Sequence, residues 1–357
     1  MSDELRDRLI KGSTIKMTDT LLDSEVFDPT DVVPTGIPMI DVALSGSFDN
    51  GMMPGVTVLA GKSKMFKTGF ALLLARAFLK KYPEGYILFY DSEFGSPPSY
   101  FKSFGIPLDR VIHTPVTELE ELRHDIVTQI NQLSRKDKVF IVVDSIGNLP
   151  SHKETEDAAK GSDAGDMGLR AKVTKSVFRV ASAKVNLKHI PMVVIAHTYK
   201  TMEMYATDVV AGGTGPYYNA DNLWIIGREA DKDKDTREIH GYRFNLKIDK
   251  SRYVREGVKI PIDIAFDGGI NKWSGLLDEA LEGGFVAKVK KGNSNAYALV
   301  DRATGELIEP YMKLEGIESS EVTWTGLLKD ADFRDYVKAK YTLSGGLLMG
   351  EDEHVDG

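Results

Sequence analysis

Eight consecutive residues, Gly61-Lys62-Ser63-Lys64-Met65-Phe66-Lys67-Thr68, have the types and spacing to hold a chain of phosphates. An apolar run, Val56–Ala60, precedes them and a helical pattern over residues 68–82 follows. Phosphate oxygens need converging N–H donors and the positive end of a helix, and a strand–loop–helix unit supplies both. In that setting Lys67 reaches the β- and γ-phosphates and the Thr68 hydroxyl ligates Mg2+, so the expected ligand is ATP with its metal. Phe66 departs from the usual pattern, because it stands where a second glycine is normally found.

Two carboxylates extend the reading. The apolar run Val139–Val143 ends in Asp144, and in phosphoryl-transfer ATPases an Asp so placed holds Mg2+ through water. Asp91-Ser92-Glu93 closes a second run, Tyr86–Tyr90. Ligands sit beyond the carboxyl ends of parallel strands, so Glu93 can face the γ-phosphate and orient or deprotonate a water. The same three residues also read as a helix N-cap, with Asp91 or Ser92 capping and Glu93 in support.

These groups need a scaffold that brings strand ends together. Short runs rich in β-branched or aromatic residues recur at 56–60, 86–90, 139–143, 192–196 and 223–226, as expected of parallel strands buried on both faces. Helical patterns lie between them. One carries Leu119, Leu122, Ile126, Ile130 and Leu133 on one face, with Thr117 and Glu120 spaced as a capping box. The class is therefore α/β with a mainly parallel sheet. Residues 244–248 and 260–266 alternate with period two and extend the sheet antiparallel. The charged run 231–238 between those segments reads as a solvated turn. Residues 1–33 form an N-terminal arm, 34–272 the core, 273–340 a small α+β appendage and 341–357 an acidic tail.

Composition narrows the class of partner. The 357 residues include no cysteine, which excludes disulfides and thiolate metal sites. The start, Met1-Ser2-Asp3-Glu4-Leu5-Arg6, is polar, and the greasiest stretch, 70–79, is too short to span a bilayer. The expectation is a soluble, intracellular protein with no membrane partner. A net charge of -8 argues against nucleic acid, yet no Asp or Glu occurs from Gly168 to Met202. Arg170, Lys172, Lys175, Arg179, Lys184, Lys188 and Lys200 all fall in that span, so contact with a polyanion is a local question.

Taken together, the residues resemble the RecA-type recombinases, in particular those of T4-like bacteriophages. The resemblance rests on Gly61 to Thr68 with its phenylalanine, Leu88 to Gly95, Val111 to Val116, Lys153 to Ala158, Gly212 to Pro216, Asp249 to Arg252 and Phe266 to Ile270. It covers residues 1 to about 285. It implies a RecA-like ATPase core, an N-terminal oligomerisation arm and a small C-terminal α+β domain. It also implies that Glu93 is the catalytic carboxylate, that Tyr100 stacks on adenine and that His197 senses the γ-phosphate, where bacterial members carry glutamine. Lys250 and Arg252 match a basic pair that crosses a subunit interface to the neighbour's ATP.

Two polar stretches, Asn148–Gly168 and Thr198–Gly215, resemble the family's DNA-binding loops and read as long loops without secondary structure. Arg170, Lys172, Arg179 and Lys200 supply positive charge for phosphates, while Met204 and Tyr205 (with Met202) can wedge between or stack on bases. Gly212, Gly213 and Gly215 give the second loop its mobility. The resemblance thus implies a filament on single-stranded DNA that pairs with duplex DNA in the host cytoplasm, served by phage mediator and single-strand-binding proteins. A hexameric helicase, or a non-hydrolysing ATP-dependent scaffold, would share the same core.

Overall fold

Strands that are apolar at every position need cover on both faces, and here they find it. The computed structural model describes residues 2–27, 31–162, 167–200, 208–232, 236–292 and 294–343. Its main sheet is built from β1 (Gly55–Gly61), β2 (Tyr86–Asp91), β3 (Val111–Pro115), β4 (Val139–Asp144), β5 (Pro191–Lys200), β6 (Asp208–Val210), β7 (Asn222–Lys232), β8 (Ile239–Ser251), β9 (Lys259–Ala265) and β10 (Gly269–Ile270). The order is β10-β9-β8-β7-β1-β5-β4-β2-β3, with β6 antiparallel on the far end of β5. Pairing is parallel from β7 through β3 and antiparallel from β7 through β10.

Period-two alternation divides the core into two layers. Val56, Val58, Leu88, Tyr90, Ile141, Val143, Met192 and Val194 face the helices Leu119–Gln132 and Met167–Leu187. Leu59, Ile87, Phe89, Phe140, Val142, Val193 and Ile195 face the helices Pro38–Ser45 and Lys67–Lys81. Each fully buried side chain of this kind contributes about 1.5–3 kcal/mol. Register is tightly specified, because a one-residue slip would exchange the two layers.

The α/β reading holds, with four local differences. The edge strand β3 lacks the apolar signature because most of its residues are exposed or half-buried. The helix expected at Thr117 starts at Leu119 with Glu118 as N-cap. The carboxylate of Glu121, four residues on, accepts from both the N–H and the hydroxyl of Thr117. Asp231 and Lys232, expected in a turn, still pair with Gly241 and Ile239. Finally, neither polar stretch lacks secondary structure: 148–168 holds the helix His152–Ala159 with a capping box between Ser151 and Glu154, and 198–215 holds the end of β5, β6 and the start of the helix Thr214–Asn219.

The C-terminal α+β module consists of β11 (Val286–Lys291), β12 (Ser294–Val300) and β13 (Leu307–Met312) with the helices Leu314–Glu318, Glu321–Leu327 and Ala331–Tyr341. It shares the layer that covers Met39 and Phe70, since Trp324, Phe333 and Tyr341 belong to the same buried cluster. Phe333 stacks on Phe48 at 5.7 Å and meets Phe285 at 5.0 Å. No described helix is long and apolar enough to cross a membrane.

Candidate nucleotide site

Register explains why residues far apart in sequence meet. Gly61 at the end of β1 pairs with His197 on β5, and Asp91 at the end of β2 pairs with Asp144 at the end of β4. Four neighbouring strands thus deliver their functional residues to one edge of the sheet. The loop after β1 and the start of the helix Lys67–Lys81 close over that edge, leaving a cavity of about 360 Å³. Ser63 to Thr68, Glu93, Tyr100, Asp144 and His197 all line it.

The loop is held by its own lysine. Lys67 is buried, and its Nζ donates to the carbonyls of Gly61 at 3.0 Å and Lys62 at 2.8 Å. Burial lowers the Lys67 pKa, while the nearby charges of Glu93 and Asp144 oppose that shift. Lys64 and Phe66 take left-handed backbone, with φ 65° and 56°. For a residue other than glycine that conformation costs roughly 1–2 kcal/mol. Phe66 thus holds a left-handed turn that favours glycine, at the position where the motif usually has one.

Thr68 Oγ1 donates to Asp144 Oδ2 at 2.7 Å. The other oxygen, Asp144 Oδ1, is buried with no hydrogen-bond partner. Burial pushes the Asp144 carboxyl up to about 6, and the charges of Glu93 and Asp91 add to this against the Thr68 hydrogen bond and Lys67. A buried, unsatisfied carboxylate oxygen beside a threonine hydroxyl is a donor set that fits a hard divalent cation such as Mg2+. Among the described residues no group of three or more His, Asp or Glu converges to hold a metal. Mg2+ characteristically takes one or two protein ligands and completes its shell with phosphate and water.

Asp91 and Ser92 do not cap a helix, because the next one, Pro98–Ser103, starts several residues later with Pro97 as its N-cap. Asp91 Oδ1 accepts from the backbone N–H groups of Glu93 at 3.0 Å and Phe94 at 2.7 Å. Its Oδ2 lies 3.1 Å from His113 Nε2. That turn aims Glu93 into the cavity. There Ser145 Oγ at 2.6 Å, His197 Nε2 at 2.9 Å and Asn148 Nδ2 at 3.1 Å all meet one oxygen, Oε1. No hydrogen bond reaches Oε2 among the described residues. Burial alone would raise the Glu93 pKa, but the bonds from Ser145 and His197 and the charges of His197 and Lys67 outweigh it and hold it below the usual value. Sequence reasoning missed Ser145 and Asn148; the turn after β4 was visible, its contact with Glu93 was not.

Tyr100 sits on the short helix Pro98–Ser103, with its ring edge-on to Phe104 at 5.4 Å. Burial and the charge of Asp144 raise its phenol pKa.

Lys250 and Arg252 lie on or just beyond β8 and do not line this cavity. Lys250 Nζ donates to the carbonyls of Tyr217 at 2.7 Å and Tyr218 at 3.1 Å, near the end of the helix Thr214–Asn219. Arg252 Nε meets Asp221 Oδ1 at 2.6 Å, although the arginine side chain is 64% exposed.

On the polyanion side, Lys172 and Arg179 are exposed on the helix Met167–Leu187, and Lys200 is exposed at the end of β5. Arg170 is half-buried and occupied: its guanidinium donates to the carbonyls of Leu149 (3.0 Å) and Gly147. Met204 and Tyr205 lie outside the described residues. Gly212 and Gly213 have φ 101° and 69° and lead into the helix Thr214–Asn219. A Cβ on Gly215 would lie 2.8 Å from Lys175 Cα. Gly215 serves close packing of that helix on its neighbour, not the mobility expected of it.

Comparison with known proteins agrees with this geometry. The RecA N-terminal domain family matches residues 3–271, and the family described as "Bacteriophage T4, Recombination and repair protein, C-terminal domain" matches residues 273–337. The Recombination and repair protein of Enterobacteria phage T4 is 47% identical over 96% of this chain and 87% of its own length. Protein RecA of Streptomyces coelicolor is 26% identical over 78% of this chain and 71% of its own. That of Nocardioides is also 26% identical, over 78% and 75%.

Proposed function

Because the chain belongs to the RecA family, we propose that it is an ATP-dependent recombinase that coats single-stranded DNA as a head-to-tail filament and pairs it with a homologous duplex. The observation that supports this most is the pair Thr68–Asp144 with its orphaned buried oxygen, set beside Glu93. Mg2+, held by Thr68 and through water by Asp144, would neutralise phosphate charge when bound. The residues of the chain do the rest. The loop N–H groups and Lys67 cradle the phosphates, and Tyr100 stacks on the base. Glu93, ionised well below neutral pH, uses the open Oε2 to hold the attacking water in line, while Oε1 stays fixed by three donors. A carboxylate so stabilised orients water better than it removes its proton.

His197 links this carboxylate to β5, which runs on to Lys200 and the second DNA-facing stretch. A γ-phosphate that drew on His197 would therefore bias the segment beyond Lys200. Lys250 and Arg252 act on the neighbouring subunit's ATP, so only an assembled filament completes the site, and the N-terminal arm docks on the adjacent subunit. Lys172, Arg179 and Lys200 supply phosphate contacts that carry no sequence information, so homology is tested by base pairing between strands.

Two measurements test this reading. Strand exchange should proceed with a homologous duplex and fail with a heterologous one; equal unwinding of both would mark a motor. Glu93→Gln should bind ATP within about twofold of wild type and lose at least ~100-fold in single-strand-stimulated hydrolysis. Wild-type hydrolysis indifferent to single-stranded DNA would refute the assignment.

A further inference from the structure

The phosphate loop carries a large aromatic side chain at a point where its backbone turns left-handed. Phe66 has φ 56° and ψ 25°, a conformation that glycine alone adopts without strain. Its ring is half-buried and has specific partners. It lies over Gly69, where a Cβ would come within 2.4 Å of Cε1 and Cζ of the ring. It meets Phe70 edge-on with centroids 5.5 Å apart, Phe244 on β8 at 5.6 Å and Phe104 at 6.2 Å. Phe104 in turn takes the ring of Tyr100 edge-on at 5.4 Å. Phe66 and Tyr100 both line the nucleotide cavity. A continuous row of rings therefore runs from the loop that holds phosphates to the wall assigned to the base. Gly69 is the residue that makes room for it.

We infer that Phe66 is a positioning residue that locks the phosphate loop to the Tyr100 wall, so that the spacing between triphosphate and base is set before the nucleotide arrives. The inference rests on the reading of Tyr100 as the base-stacking side chain. Packed interiors move as units and do not deform smoothly. Removing the ring should then free the base wall from the loop, while the loop's own N–H donors, Lys67 and Thr68 remain. The base, rather than the phosphates, should lose its binding.

The test is equilibrium competition on the full chain with Mg2+, comparing ATP with inorganic tripolyphosphate. The ratio of the two dissociation constants measures the share of binding that comes from the nucleoside. In Phe66→Gly the Kd for ATP should rise about tenfold, the scale of an aromatic contact, and that for tripolyphosphate less than about twofold. Hydrolysis should show a raised KM for ATP with kcat nearly kept. Phe66→Leu, which still fills the space over Gly69, should recover most of the ATP affinity. Phe104→Ala breaks the same row without replacing a residue of the loop and should reproduce the selective loss, which keeps the test open even where Phe66→Gly does not fold. Equal weakening of ATP and tripolyphosphate would mean that the ring serves the loop alone. No change in either would mean that it is inert; each result overturns the inference. Wild-type protein that bound ATP no better than tripolyphosphate would instead remove the base-stacking role of Tyr100, and this inference with it.

Discussion

The nucleotide cavity and the outer basic surface differ in what holds their functional candidates in place. In the cavity Thr68 meets Asp144, and Glu93 has three donors on one oxygen. These partners are the ones the chemistry would use. Outside, the cations have partners of a different kind. Lys250 caps the carbonyls of Tyr217 and Tyr218, Arg252 leans on Asp221, and Arg170 holds the carbonyls of Gly147 and Leu149. A site that orients a water must be built to within tenths of an ångström in advance. Lys250 and Arg252, which we assign to a neighbouring subunit's nucleotide, rest meanwhile on local acceptors.

The sharpest way to break this contrast is to ask whether Lys250 works on the neighbour or only caps a helix. Lys250→Ala should cost on the order of 10³-fold in hydrolysis, as loss of a cation acting in trans does, with little change in thermal stability. A protein that merely lost a helix cap would show the reverse, a lower Tm with hydrolysis kept. Mixing settles which subunit the lysine serves. Lys250→Ala and Glu93→Gln chains, each nearly inactive alone, should recover measurable hydrolysis together, because some interfaces then pair an intact Glu93 with an intact Lys250. No recovery would place Lys250 in its own subunit's chemistry.

A second prediction concerns the orphaned oxygen in the cavity. The Asp144 carboxyl is pushed up from 3.8 to about 6, chiefly by burial. The folded chain therefore binds this proton more tightly than the unfolded chain does. Burying the charge therefore costs nothing below about pH 4, where the carboxyl is neutral in both states; the penalty grows as pH rises from about 4 to 6 and is full above that. A divalent cation bound there would take the proton's place, so Mg2+ should raise Tm by a few degrees at neutral pH and by little near about pH 4.5. Asp41, pushed up to about 7 by burial, drifts in the same direction, so the informative quantity is the difference from a variant. Asp144→Asn should abolish the Mg2+ increment and flatten the curve between about pH 4 and 6. An unchanged Mg2+ increment in that variant would move the metal elsewhere.

The same contrast governs how much could be read from the sequence. The central strands were legible because burial on both faces leaves a continuous apolar run, as in Val139–Val143. The edge strand Val111–Pro115 was not, since none of its residues is buried and no apolar run is needed there. The helix His152–Ala159 buries no side chain, so its single trace was the pair Ser151 and Glu154. The phosphate loop, Asp144 and Glu93 could be located from local motifs. Their supporting contacts could not, because Ser145 and Asn148 lie more than fifty residues from Glu93 and meet it only through strand register. Phe66 was conspicuous as a departure, but two of its ring partners, Phe104 and Phe244, come from parts of the chain that no local pattern joins to it. Charge could be read everywhere; what each charge touches could not.

That last point divides the acid-free span, and it carries the smallest effect. Arg170, Lys172 and Arg179 look equivalent in sequence, yet Arg170 is half-buried against two backbone carbonyls while the other two are exposed. Arg170→Ala would leave the part-buried carbonyls of Gly147 and Leu149 short of a donor, a cost of about 1 kcal/mol that should appear as lower stability and a looser turn after β4. Lys172→Ala and Arg179→Ala should leave Tm unchanged and weaken single-strand binding several-fold. Each cation that touches a phosphate releases counterions, so each substitution should reduce the slope of log K against log salt by about 0.7. Arg170→Ala should leave that slope alone if its guanidinium stays parked in the complex. A drop of the same size in Arg170→Ala would show instead that DNA draws this arginine out of its carbonyl contacts, and half-burial in the free chain would then be the resting state of a phosphate ligand.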